Sequence, residues 1–151
     1  MKKYCKVVGL SLLCLLFISA CGAKKQATMY QLKQDDEDVT VQNVAKEDTL
    51  LAQTITTTIQ YETMGVKTKS KAEKLLNPSK ELYSNKQGVN YSIVFNEKEA
   101  TETIELDLKE ISHEDVKTLP LISLPDGDLN SASEKVNGEK LINLGFKKKT
   151  K

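Results

Sequence analysis

Arginine is absent from the 151-residue chain, histidine occurs once, and the three cysteines all lie within the first 21 positions. Without arginine the chain lacks the planar fork that usually grips phosphate or carboxylate through two parallel hydrogen bonds. A dedicated nucleic-acid or nucleotide site is therefore not expected. The lone His113 is followed by Glu114 and Asp115, but a zinc-protease helix needs a second histidine four residues on, where Lys117 stands. Zinc and copper sites are not expected either. Serines and acids are plentiful, yet no serine occupies a Gly-x-Ser-x-Gly elbow. Nor is there a Gly-rich phosphate loop or a dinucleotide fingerprint. No catalytic residue, metal ligand or cofactor site is assigned from the sequence.

What is present begins with an address. Met1 to Lys6 carries three lysines, and Val7 to Ala20 follows without a charge. As a helix those residues would span about 21 Å, well short of a ~30 Å hydrocarbon core. A basic start, a short apolar run and small residues after it describe a secretory signal peptide better than a membrane span. Cleavage after Ala23 would release a soluble protein. Ile18-Ser19-Ala20-Cys21 instead resembles the lipobox of bacterial lipoproteins. That resemblance implies a diacylglycerol on the Cys21 thiol and signal-peptidase cleavage between Ala20 and Cys21. N-terminal acylation of Cys21 would follow the same pattern. Two acyl chains hold stably where one is marginal, and Lys24 and Lys25 lie beside the anchor. Removal of Cys5 and Cys14 would leave one cysteine, so no internal disulfide is expected.

The remainder has globular composition: 39% apolar and 28% charged residues over the whole chain. Loss of the leader would leave 19 lysines against 21 acids, a net charge of −2. The expected organisation is a signal peptide over 1–20, a lipid-anchored tether over 21–27 and one domain over 28–149. So short a tether keeps the domain near the bilayer.

Periodicity of two marks the strands. Met29, Tyr30 and Leu32 form the first cluster, and Val39-Thr40-Val41 to Val44 alternates as the second. In "LLAQTITTTIQYE", Leu51, Ile55, Ile59 and Tyr61 share a face with Gln53 and Thr57 between them, and mostly threonines take the other. Asp35 to Asp38 reads as a solvated turn. The pattern then changes to 3.6, with Ala72, Leu75, Leu76, Ser79, Leu82 and Tyr83 on one helical stripe. Pro78 either kinks that helix or opens a second one capped by Asn77. Val89, Tyr91, Ile93 and Phe95 share one face of a further strand, and Ile104, Leu106 and Leu108 one face of the next. "NEKEA" (96–100) forms the turn between them. Ser112 caps a short helix, Pro125 to Asp128 is a turn, and Ser131 with Glu134 forms a capping box for a helix closed by Gly145. Phe146 begins a last strand. Turns this short between strands require antiparallel pairing. The expected class is α+β, a two-layer domain with an antiparallel sheet and helices packed on one face.

The pieces Met64-Gly65-Val66-Lys67, Ala72 with Leu75-Leu76-Asn77-Pro78, Tyr83, Gly88 and Leu144-Gly145-Phe146 resemble the YehR-like family of small bacterial lipoproteins. The resemblance spans nearly all of the chain beyond the leader. It implies a compact α+β domain on a lipid anchor and carries over no catalytic or ligand residue. Glu102, Glu105 and Asp107 suggest paired carboxylates, but Glu105 and Asp107 alternate with Ile104, Leu106 and Leu108 as on an exposed strand face. Lys147, Lys148, Lys149 and Lys151 suit a charged edge or a solvated tail, and less readily a contact with anionic lipid or wall polymer.

The expected function is non-catalytic: a lipid-anchored extracytoplasmic module binding an envelope protein or small ligand at the membrane surface. The alternative is a small envelope hydrolase using an unrecognised Ser or carboxylate site. A two-lobed solute receptor would need about twice this length.

Overall fold

A computed structural model describes residues 24–34, 37–119, 124 and 128–149. Among these residues there are six strands: β1 (Lys25–Gln34), β2 (Glu37–Lys46), β3 (Thr49–Gln60), β4 (Val89–Phe95), β5 (Glu99–Asp107) and β6 (Lys147–Lys149). They make one open sheet in the order β4-β5-β3-β2-β1-β6, every neighbouring pair antiparallel. Among the described residues three α-helices accompany it: α1 (Lys69–Tyr83), α2 (His113–Thr118) and α3 (Glu134–Asn143). None of the described helices is long and apolar enough to cross a membrane.

Register gathers the apolar residues into rows. Tyr30, Val41, Ile55, Ile104 and Tyr91 lie opposite one another across five strands. Helix α3 meets this row at Tyr30. Gly138 sits so close that a β-carbon there would overlap the Tyr30 hydroxyl, which donates to Glu134 Oε1 at 2.9 Å. At the other end Tyr83 of α1 stacks on Tyr91, centroids 4.8 Å apart and nearly parallel. The next row carries buried amides. Asn43 donates to Asn137 Oδ1 (2.8 Å), and Gln53 to Asn43 Oδ1 (3.0 Å) and Asn137 Oδ1 (3.3 Å). These bonds tie α3 to β2 and β3 in a region where an unpaired amide would be costly.

Several expectations are corrected. A β-bulge passes the pairing from Val44–Ala52 to Ala45–Leu50, leaving Leu51 as the extra residue. Leu50 is therefore 1% exposed while Leu51 is half-buried, because one inserted residue reverses the alternation before it. On α1 the buried stripe is narrower than expected. Ala72 and Tyr83 are buried and Leu76 is half-buried, whereas Leu75 and Leu82 are each 53% exposed. At about 100° per residue, Leu76, Ser79 and Tyr83 project within ~40° of Ala72, but Leu75 and Leu82 stand ~60–80° away. Pro78 lies inside one continuous helix, so it does not open a second one capped by Asn77.

Capping shifts too. Ser131 closes a short 3₁₀ turn (Leu129–Ser131), and Ser133 is the residue that caps α3, accepting from the Val136 N–H. Asp48 completes that cap from the β2–β3 turn. Its carboxylate accepts from the Ser133 hydroxyl (2.7 Å) and the Lys135 N–H (3.0 Å), and its carbonyl from the Glu134 N–H. Gly145, at φ 96°, ends α3 as expected. The Phe146 N–H reaches the Leu141 carbonyl and the Gly145 N–H the Ile142 carbonyl, a Schellman arrangement. The β4–β5 turn is confined to Asn96–Lys98, since Glu99 and Ala100 already pair with β3 and β4. Of the turn expected at Asp35 to Asp38, Glu37 and Asp38 instead open β2, paired with Gln34 and Lys33 of β1; positions 35–36, and most of the expected turn at 125–128, lie outside the described residues.

Candidate interaction surface

Because side chains alternate along a strand, the sheet has a second face, and its composition is different. One row runs Gln31, Thr40, Thr56, Thr103, Ser92, and the next Met29, Gln42, Thr54, Glu105, Asn90. A third holds Lys33, Asp38, Thr58, Thr101 and Val94. The threonines are half-exposed, the environment in which a β-branched hydroxyl residue fits a pleated strand. Local bonds order parts of the face. Gln31 donates to both oxygens of Asp38 (2.7 and 2.9 Å), Gln60 to Glu99 (2.8 Å), Asn90 to Glu105 (2.9 Å), and the Thr58 and Thr101 hydroxyls lie 3.4 Å apart. Asp38 is held below the usual carboxylate range, first by Gln31 and then by Lys33. Met29 and Val94 are exposed apolar residues among these polar rows. Such a surface offers many weak donors and acceptors on a flat backbone, without a converging set of reactive groups.

The acidic residues singled out from the sequence divide between faces. Glu105 and Asp107 are exposed on the second face, whereas Glu102 lies on the covered face, half-buried, and accepts from the Tyr91 hydroxyl at 2.6 Å. Burial, then the Glu102 hydrogen bond and charge, pushes the Tyr91 phenol well above its ordinary value. Tyr83 beside it is raised by burial and by Glu102. This stacked pair with its carboxylate was missed from the sequence. Its signal was available: Glu102 stands two residues from Ile104 and four from Leu106, in phase with both. The amide group Asn43–Gln53–Asn137 and the Asp48 cap, also missed, join segments far apart in sequence and carry no local signal.

His113 is the exposed first residue of α2. Its neighbour Asp115 accepts from Lys86 Nζ at 2.7 Å and from the Ser112 hydroxyl. Among the described residues no group of three or more His, Cys, Asp or Glu side chains is placed to hold a metal ion. Lys67, Thr68, Lys69, Phe95, Asn96 and Glu97 line an open depression where α1 starts. Lys147 to Lys149 are exposed on edge strand β6. Cys21, the Ala20–Cys21 junction and Lys151 lie outside the described residues.

The family model described as "Protein of unknown function (DUF1307)" matches residues 26–147. An uncharacterised lipoprotein of Listeria innocua is 33% identical over 97% of this chain and 95% of its own length. One from Listeria monocytogenes is 28% identical over 100% and 98%. The uncharacterised lipoprotein YehR of Escherichia coli is 29% identical over 82% and 80%. The NMR structure of the E. coli YehR protein superposes with a TM-score of 0.74 at 23% identity, covering 84% of this chain and 92% of that one. At that identity the likeness speaks for the fold alone. A Streptococcus pneumoniae protein solved by NMR gives 0.58 at 15% identity, covering 99% of each chain.

Proposed function

Because the chain belongs to the DUF1307 family, whose curated relatives are named lipoproteins, we propose that it is a lipid-anchored, non-catalytic binding module on the extracytoplasmic face of the membrane. In this reading residues 1–20 are removed, Cys21 carries the lipid, and the folded domain is held close to the bilayer. The helices form one layer over the covered face of the sheet, and the second face is left for an envelope protein or small ligand. The observation that carries the binding role is the second face itself. Rows of half-exposed threonines, with half-exposed or exposed serine and amide side chains, cross five strands, and polar contacts with trapped water are the ordinary currency of non-obligate interfaces.

Three experiments test this reading. Cys21→Ala abolishes both processing and labelling by radioactive palmitate; persistent labelling would refute lipidation at Cys21. Photo-crosslinkers placed in cells at Thr56 and Thr103 capture a defined partner that a probe at Lys74 on α1 does not. Hydrolysis of cell-wall fragments or simple esters by the purified protein would overturn the non-catalytic role.

A further inference from the structure

The second face is electrically polarised in a way that composition does not explain. Strand pairing brings together lysines from three distant segments. Lys25 lies directly opposite Lys46, Lys149 opposite Met29, and Lys147 opposite Gln31. All four project from the second face with Met29 among them, and all are exposed. On the described part of that face of β6, β1 and β2 the single acid is Asp38, which already accepts from Gln31 and pairs with Lys33 at 3.3 Å. The other salt bridge among the described residues joins Lys86 to Asp115. Two strands away the sign reverses: Glu99, Glu105 and Asp107 share the same face on β5. A chain with a net charge of only +1 therefore presents a basic strip and a separate acidic one. Like charges directly opposite on paired strands are destabilising, so the strip has a cost that a polyanion would relieve.

We propose that this strip, Lys25, Lys46, Lys147 and Lys149 around Met29, rests on anionic lipid headgroups, so that the domain lies on the membrane by its β6–β1–β2 side. The orientation rests on the anchoring of Cys21. From Cys21 to Lys25 four residues reach at most about 14 Å, whereas β1 alone is about 33 Å long. The anchor enters where Lys25 and Lys46 pair, at one end of the strip, and so short a leash cannot lift that edge away from the headgroups. A wall polymer offers similar charge, but the leash favours the bilayer. Each lysine close to an anionic leaflet adds to binding, and together four are worth at least about a hundredfold in partitioning. Sheet twist of about 20–25° per strand turns β4 roughly 100° or more from β6. The hydroxyl rows of β3 and β5 are thereby inclined away from the lipid and left open to a partner.

The test uses protein purified from membranes. A fluorophore is placed at Met29→Cys, or at Lys74→Cys on α1 as the reference. The protein is added to phosphatidylcholine vesicles with or without phosphatidylglycerol, each doped with a headgroup-nitroxide lipid. The expected result is quenching at position 29 but not at 74, dependent on phosphatidylglycerol and lost in high salt. Lys46→Gln with Lys149→Gln removes it; both residues are exposed, and an unchanged circular dichroism spectrum shows that the pair folds. Intact mass reads the anchor separately, as a diacylglycerol adduct on Cys21. With the adduct present, equal quenching at 29 and 74 overturns the orientation. Without the adduct the anchoring reading fails, and cosedimentation with the anionic vesicles decides the strip: at least a tenfold loss in the double variant supports it, and equal binding overturns it. Quenching that required an added anionic wall polymer, and not phosphatidylglycerol, would also overturn it.

Discussion

Gly138→Ala is a sharp test of how α3 is seated. In an exposed helix interior the change would stabilise by about 0.8–1.0 kcal/mol, because alanine loses less backbone entropy. Here the added β-carbon overlaps the Tyr30 hydroxyl and crowds its ring. Forcing an extra methyl into such a contact costs about 1–3 kcal/mol. Moving Tyr30 aside also breaks its bond to Glu134, worth about 1.5 kcal/mol for a charged acceptor close to solvent. The clash wins, and the net expected loss is about 2.5 kcal/mol, or a Tm lower by roughly 10 °C. Urea unfolding followed by circular dichroism measures it. Tyr30→Phe removes both the hydroxyl and the bond, so in that background Gly138→Ala should cost less than about 1 kcal/mol. A neutral or stabilising Gly138→Ala, or a cost unchanged by Tyr30→Phe, would refute this account of the helix–sheet contact.

On α1, Leu75→Ser should shift stability by no more than about 0.5 kcal/mol, while Ala72→Leu, at a fully buried position, should cost about 1–3 kcal/mol; comparable losses would mean the helix is rotated. Ser133→Ala, which removes the α3 cap, should lower stability by about 1 kcal/mol in urea titrations, and Ser131→Ala by much less. Asp48 is held below the usual carboxylate range by the Ser133 hydroxyl and then the Lys135 N–H, and Asp115 by Lys86 and then Ser112. A depressed folded value stabilises above the ordinary Asp value of about 3.9 and is lost as pH falls through the lower folded values. Asp48→Asn with Asp115→Asn should therefore flatten the acid limb of stability against pH, and an unchanged limb would be contrary. Tyr30, Tyr61, Tyr83 and Tyr91 are all raised, in each case by burial first. Their contribution is complete below the unfolded value of about 10 and is lost as pH rises beyond it. Tyrosinate absorbance should then appear together with unfolding, not ahead of it.

The elements themselves were written locally. Alternation located β2 to β5, an apolar cluster marked β1, the change to a 3.6 period located α1, and Ser112 and Gly145 marked helix ends where the structure has them. At three places a distant segment overrides the local pattern. Leu50 replaced Leu51 in the core because the β2–β3 register admits one extra residue. Ser133 displaced Ser131 as the α3 cap because Asp48, 85 residues earlier, supplies the remaining acceptors. Leu75 and Leu82 remained outside because α1 packs closely through Ala72, which narrows the stripe the sheet can cover.

By itself the sequence determined a lysine-rich start and an uncharged run with Cys21 after it, the antiparallel strands and the absence of any arginine fork or paired-histidine site, since all of these are matters of composition and short-range spacing. Only the tertiary structure decided that β6 lies beside β1. That one pairing joins lysines from the two ends of the domain to Lys46 on a single face, and so produces its basic strip. Period-two alternation tells which face a side chain takes. Which strand stands next to it, and in what register, is fixed by the burial of distant apolar rows against one another.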